Sequence, residues 1–113
     1  MKPADRLVLQ KMIDYCDDIT DMVSEFGDSY EAFASRKSYQ YATGMCILQI
    51  GELVTRLSDE AKAAIPNIPW RMIRGMRNIY AHNYEHTKLI TIWQTLSEDI
   101  PALRDALKAA LEQ

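Results

Sequence analysis

The chain has 113 residues, 48% of them hydrophobic, enough for a single domain over 1–113 with a real but modest core. A net charge of −3 and a pI near 5.3 exclude a protein that coats nucleic acid nonspecifically, because such binding rests on neutralising many phosphates. Its two cysteines, Cys16 and Cys46, have neither C-x-x-C spacing nor the density of a disulfide scaffold and read as small core residues.

The N-terminus, Met1-Lys2-Pro3-Ala4-Asp5-Arg6, leads into a charged amphipathic stretch without the apolar core of a signal peptide. No apolar run is long enough to span a bilayer, so a soluble, cytoplasmic protein is expected. From Leu9, the series Leu9, Met12, Cys16, Ile19, Val23, Phe26 steps by three and four residues, the pattern of a helix buried along one narrow seam. Gly27 is placed to end it. A second helical stretch starts near Asp28 or Ser29, both good N-caps, with Tyr39, Ala42, Cys46, Ile50, Leu53 and Leu57 on one side and a possible break near Ser35-Arg36-Lys37. Gly44 and Gly51 share a face of this stretch. Glycine inside a helix costs about 1 kcal/mol against alanine, so close approach of another helix backbone is expected there, a dimer seam if that helix belongs to a second copy.

Ser58-Asp59-Glu60 reads as a short capped turn, and Ile65-Pro66-Asn67-Ile68-Pro69-Trp70 as the one clear linker, since each proline pushes its predecessor out of helical geometry. A third helix follows, with Pro69 near its first turn, Trp70, Ile73, Met76 and Tyr80 on its apolar side, and Arg71, Arg74 and Arg77 as a drifting basic stripe. A last helical region from about Thr87 carries Ile90, Trp93, Leu96, Ile100, Leu103, Leu107 and Ala110 at three/four spacing. The phase continues through Pro101, so a kink or tight restart is expected there. With only four glycines and four prolines and no strand-type alternation, the chain is predicted to be all-α.

The chemistry concentrates between residues 73 and 84. No acidic residue lies between Glu60 and Glu85, while Lys62, Arg71, Arg74 and Arg77 do, so an acidic chain carries one locally positive strip. Arginine presents planar donors matched to phosphate oxygens, and histidine titrates near neutrality. Arg77 with His82 would therefore suit attack on a phosphodiester. On RNA the 2′-hydroxyl is itself the nucleophile, so a base, an acid and a stabiliser of the developing charge suffice without a metal. A straight helix would point Arg77 and His82 roughly 140° apart, so a joint site requires the helix to loosen near His82-Asn83 or the arginine stem to reach around. Tyr84 can converge with His82 only in an irregular turn. Spacing alone leaves other readings open: a capping histidine beside a surface arginine, a basic stripe that is a solvated face, and His86 as an ordinary exposed histidine.

Arg77, four intervening residues, His82, one residue and Tyr84 resemble the R-x4-6-H-x-Y signature of the HepT-like toxins of the HEPN superfamily. Gln49-Ile50-Gly51-Glu52-Leu53 looks like that family's "IGEL" segment, and Ile68-Pro69-Trp70-Arg71 like its "IPW" entry to the motif helix. Ile92-Trp93 and Asp99-Ile100-Pro101-Ala102-Leu103 resemble its closing helix. The resemblance covers most of the chain after about Tyr41. It implies an up-down bundle of four to five helices, kinked near Pro101, pairing as a homodimer whose Arg-His motifs face one cleft. It further implies a metal-independent endoribonuclease without cofactor, the toxin of a toxin–antitoxin pair whose antitoxin is a minimal nucleotidyltransferase. Arg77 would then hold and polarise the phosphate and His82 would transfer protons. Asn78 would orient one of them, Arg71 and Arg74 would touch RNA, and Tyr84 would accept the silencing AMP. A different class remains beside it: a non-catalytic helical adaptor that binds nucleotide or presents substrate to the nucleotidyltransferase.

Overall fold

A computed structural model describes residues 1–113. Seven α-helices follow in order: α1 (Pro3–Phe26), α2 (Tyr30–Ala34), α3 (Lys37–Val54), α4 (Asp59–Ala64), α5 (Trp70–Asn78), α6 (Leu89–Gln94) and α7 (Ile100–Leu111). A π-helical turn over Ile79–Asn83 extends α5, and another over Thr95–Asp99 joins α6 to α7. Four long rods result, namely α1, α3, α5 with its turn, and α6 to α7, with α2 and α4 as short connectors. The all-α bundle expected from periodicity is the observed architecture.

Pro3 sits in the first turn of α1, where its missing N–H loses no bond. Leu9, Met12, Cys16 and Ile19 of the predicted seam are fully buried, and Val23 and Phe26 are half-buried toward its end. Gly27 closes the helix at φ +123°, the chain's one positive φ, and its N–H donates to the Val23 carbonyl at 3.1 Å. The Ser29 hydroxyl then accepts from the Ala32 N–H at 3.2 Å and starts α2, and the expected break at Ser35–Lys37 separates α2 from α3. Phe33 of α2 plugs the gap between α3 and α6, with its ring 5.2 Å from Tyr39, edge to face, and 5.6 Å from Trp93.

The turn predicted at Ser58-Asp59-Glu60 is the start of a six-residue helix, α4. Ser58 joins it to α1: its hydroxyl accepts from the Ala61 N–H, while its own N–H and O–H donate to the buried Asp5 carboxylate at 3.0 and 2.7 Å. Those two hydrogen bonds hold the Asp5 carboxyl below its ordinary range. The linker over 65–70 is pinned by the Trp70 indole N–H, which donates to the carbonyls of Lys62 and Ile65 at 3.1 and 3.2 Å.

Pro101 is the second residue of α7, directly after the wide turn over Thr95–Asp99, which takes up the phase difference. The expected restart is therefore a bulge followed by a proline start. One predicted core position is not one: Ile90 is 40% exposed, because the buried seam of α6 runs through Ile92, Trp93 and Leu96, with Leu89 flanking it. Arg104 on α7 is ion-paired with Asp17 on α1, tying the closing helix to the opening one. Cys16 and Cys46 are both buried, which pushes their thiols up to about 12 and about 11 and makes them inert packing groups.

Candidate functional site

The site is built on the contact between α3 and α5. A Cβ at Gly51 would stand 2.7 Å from the Arg77 Cβ and 3.2 Å from the Arg77 backbone nitrogen, and one at Gly44 would stand 3.1 Å from the Tyr80 ring. The two glycines of α3 thus let the motif helix lie directly on it. The expectation of close backbone approach holds, but the neighbour is the same chain's α5 and its π turn. A dimer seam at Gly44 and Gly51 is therefore excluded, because both positions are already covered.

Where Arg77 crosses Gly51, its Nε donates to the Glu52 carboxylate, and its Nη1 lies 3.3 Å from the Asn78 Oδ1. Arg71 and Arg74 are exposed, and no carboxylate pairs with either. These three arginines, with Glu52, Thr55, Gly75 and Asn78, line an open hollow of about 500 Å³ that has no hydrophobic residue in its wall. Three guanidiniums against one carboxylate leave it net positive, the electrostatics that suit a phosphate.

His82 points elsewhere. It belongs to the π turn that loosens the end of the motif helix, is solvent-exposed, and lines a second hollow of about 500 Å³ with Gln40, Tyr41, Tyr80, Tyr84 and His86. Within one chain, then, the structure does not bring Arg77 and His82 together. The hollows are neighbours along α3: its residues 40 to 48 face the histidine hollow, and Glu52 and Thr55 face the arginine hollow. Four residues of helix, Leu48 to Glu52, put about 6 Å along α3 between their nearest walls. Asn78 contacts Arg77 and makes no hydrogen bond to His82.

Tyr84 does converge with His82, and the irregular turn that this requires is present: the π turn runs into a 3₁₀ turn over Tyr84–His86. The Tyr84 ring lies 5.7 Å from that of Tyr80, and its hydroxyl donates to the Gln40 Oε1 at 3.3 Å. Gln40 is itself oriented, because its amide nitrogen donates to the carbonyls of Phe33 and Ala34 at the end of α2, at 3.0 and 3.3 Å. Burial, with a smaller contribution from nearby Tyr41, raises the Tyr84 phenol above its ordinary range, and burial raises Tyr80 further. His86 lines the same hollow and is exposed.

The roles of three residues escape a reading by motif. Glu52 is the one charged side chain between Lys37 and Arg56 and the only carboxylate on α3, which is a legible signal that it has a partner. Gln40 and Tyr41 reach the motif turn across more than forty residues of sequence, and nothing in their local spacing announces it.

A family model described as ribonuclease HepT-like matches residues 12–110. A protein of Methanocaldococcus jannaschii, provisionally named as an RNase, is 30% identical over 85% of this chain and 78% of its own length. A Thermococcus cleftensis protein named "Probable ribonuclease HepT" is 32% identical, covering 80% of this chain and 87% of that protein. Another provisionally named RNase, from Caldanaerobacter subterraneus, is 29% identical over 96% of this chain and 95% of its own. No solved structure matches significantly. A match over nearly the whole bundle, including both helices that carry the arginine and histidine hollows, places this chain in the HepT-like ribonuclease family.

Proposed function

We propose that this protein is a metal-independent endoribonuclease that works as a homodimer, with Arg77 and His82 as its catalytic residues. The observation that carries this reading is the pair of adjoining hollows on α3, one lined by arginines and free of apolar wall, the other holding an exposed histidine on a loosened turn. Because a single chain keeps the two apart, the cleft is assembled when a second copy sets its own motif opposite the first. Arg77, oriented by Glu52, holds the scissile phosphate and stabilises charge on its equatorial oxygens. One His82 removes the proton of the 2′-hydroxyl as that oxygen attacks phosphorus. The partner copy's equivalent histidine protonates the departing 5′-oxygen, leaving a 2′,3′-cyclic phosphate and a 5′-hydroxyl. Asn78 steadies the Arg77 fork, and Arg71 and Arg74 hold flanking phosphates.

Tyr84 is the AMP acceptor through which a minimal nucleotidyltransferase antitoxin silences this toxin. Its phenol is kept protonated by burial and engaged with Gln40, so the partner must supply the base that activates it. The added phosphate would then stand beside His82 and repel an RNA backbone.

The test is incubation of the pure protein with short RNA in EDTA. Fragments ending in cyclic phosphate are expected, with His82→Ala and Arg77→Ala each slower by about 100-fold or more. Full activity in either variant would refute the assignment. One observation favours a second reading: Arg77 is engaged by Glu52 and lies in a separate hollow from His82, as suits an adaptor that binds nucleotide without cutting. Nucleotide binding with no RNA cleavage would select it.

A further inference from the structure

We propose that the hollow beside His82 is a nucleobase subsite, in which one base of the RNA packs against Tyr41 and presents its amino edge to Tyr84 and Gln40. This deepens the ribonuclease reading and rests on it for naming RNA as the ligand. The hollow has the size of small-molecule sites, about 300–1,000 Å³. Three of its wall residues are tyrosines, and Tyr41, at the start of α3, is 63% exposed. An aromatic ring left in water at the lip of a hollow that also holds a proton-transfer histidine is the platform on which single-stranded RNA stacks its bases.

Two polar groups of the hollow, Gln40 and Tyr84, are held in one hydrogen-bonding sense. The Gln40 amide nitrogen is committed to the Phe33 and Ala34 carbonyls, which fixes its Oε1 toward the Tyr84 hydroxyl. Tyr84 therefore gives its one proton to Gln40, and both oxygens are left with lone pairs and no hydrogen. Such a pair takes donors. Two acceptors side by side call for a base that presents an exocyclic amino group, which adenine, cytosine and guanine carry and uracil lacks. Arg77 and its neighbours hold the phosphates along α3, so the subsite reads a base next to the scissile bond.

The experiment uses the full chain and short oligoribonucleotides that differ at one position flanking the cut. Wild-type protein is expected to prefer adenine, cytosine or guanine over uracil at that position. Tyr41→Ala, at an exposed position where truncation leaves the fold intact, is expected to raise KM about tenfold for every base, since stacking does not distinguish them. Tyr84→Phe keeps the ring, removes one of the two acceptors and is expected to weaken the preference. Cleavage by Tyr41→Ala with unchanged KM would overturn the subsite and leave the ribonuclease reading standing. A preference untouched in Tyr84→Phe, or a Tyr41→Ala protein that turns monomeric in sedimentation and so marks Tyr41 as a subunit contact, would also overturn it. A measurement independent of cleavage uses the Arg77→Ala protein titrated with AMP, CMP and UMP while the tyrosine ring signals are followed by NMR. Shifts at Tyr41 and Tyr84 with AMP or CMP at lower concentration than with UMP support the subsite even if no RNA is cut, and no shift overturns it.

Discussion

Arg77 is a residue whose position matters more than its presence. Its stem is pressed against Gly51, its Nε is taken by Glu52 and one Nη lies against Asn78, so the guanidinium edge offered to the hollow is set by three neighbours. The Glu52 and Arg77 side chains are 41% and 42% exposed, and a pair that wet contributes about 1 kcal/mol or less to folding. Its orienting effect is a different matter, since displacing a catalytic group by about 1 Å can cost about 100-fold in rate. Glu52→Ala is therefore expected to leave the thermal midpoint close to that of the parent while slowing RNA cleavage by about 10- to 100-fold. Glu52→Gln, which still accepts a hydrogen bond from Nε, is expected to recover part of the loss. Equal cleavage rates for Glu52→Ala and parent would mean that Arg77 is oriented without the carboxylate.

At the scale of elements, the decisive packing is α5 on α3 through two glycines that do different jobs. A methyl at Gly44 meets two atoms of the Tyr80 ring, a side chain that can tilt, whereas a methyl at Gly51 meets the Cβ and backbone of Arg77, which move only if α5 moves. Gly44→Ala is expected to be near neutral, the helix-propensity gain of about 1 kcal/mol offsetting slight crowding. Gly51→Ala incurs overpacking of about 1–3 kcal/mol against that same gain, and it shifts the arginine. Urea unfolding should rank Gly51→Ala the less stable of the two, and a reversed order would mean that α5 does not rest on Gly51. The need for a close neighbour at both glycines was legible, because mid-helix glycine is otherwise unfavourable. That the neighbour is α5 was not, since pairing between Gly51 and Arg77 spans 26 residues and leaves no periodic trace. The seams of α1 and α3 could be read from their three/four spacing for the converse reason: burial along one stripe imposes a local period. The π turns are marked in the sequence only by helix-poor residues, as at His82-Asn83, and by Pro101. They permitted a loosened end without fixing its register, and Ile90, whose three-residue step to Trp93 fitted the period, lies outside the core because the seam of α6 enters through Ile92.

At the scale of the whole molecule, one chain supplies an arginine hollow and a histidine hollow but no single place where both act, so the proposed chemistry demands a second copy. That demand has a quantitative signature. If each chain held a self-sufficient site, replacing half the subunits with His82→Ala chains would halve the rate, whether or not the chains pair. If one cleft at the symmetry axis needs both histidines, one as base and one as acid, a mixed dimer is dead, and random exchange of equal amounts leaves about one quarter of the dimers active. The expected result of mixing equal parts of parent and His82→Ala protein, unfolding them together and refolding, is thus about a quarter of the parental rate at the same total concentration. The control is the two proteins unfolded and refolded separately and then mixed, expected at half. The magnitude is robust to partial inactivation because both arms lose the same fraction. A rate that stays at half after verified subunit exchange would show that the two histidines do not share a cleft, and the division of proton transfer between copies would have to be abandoned.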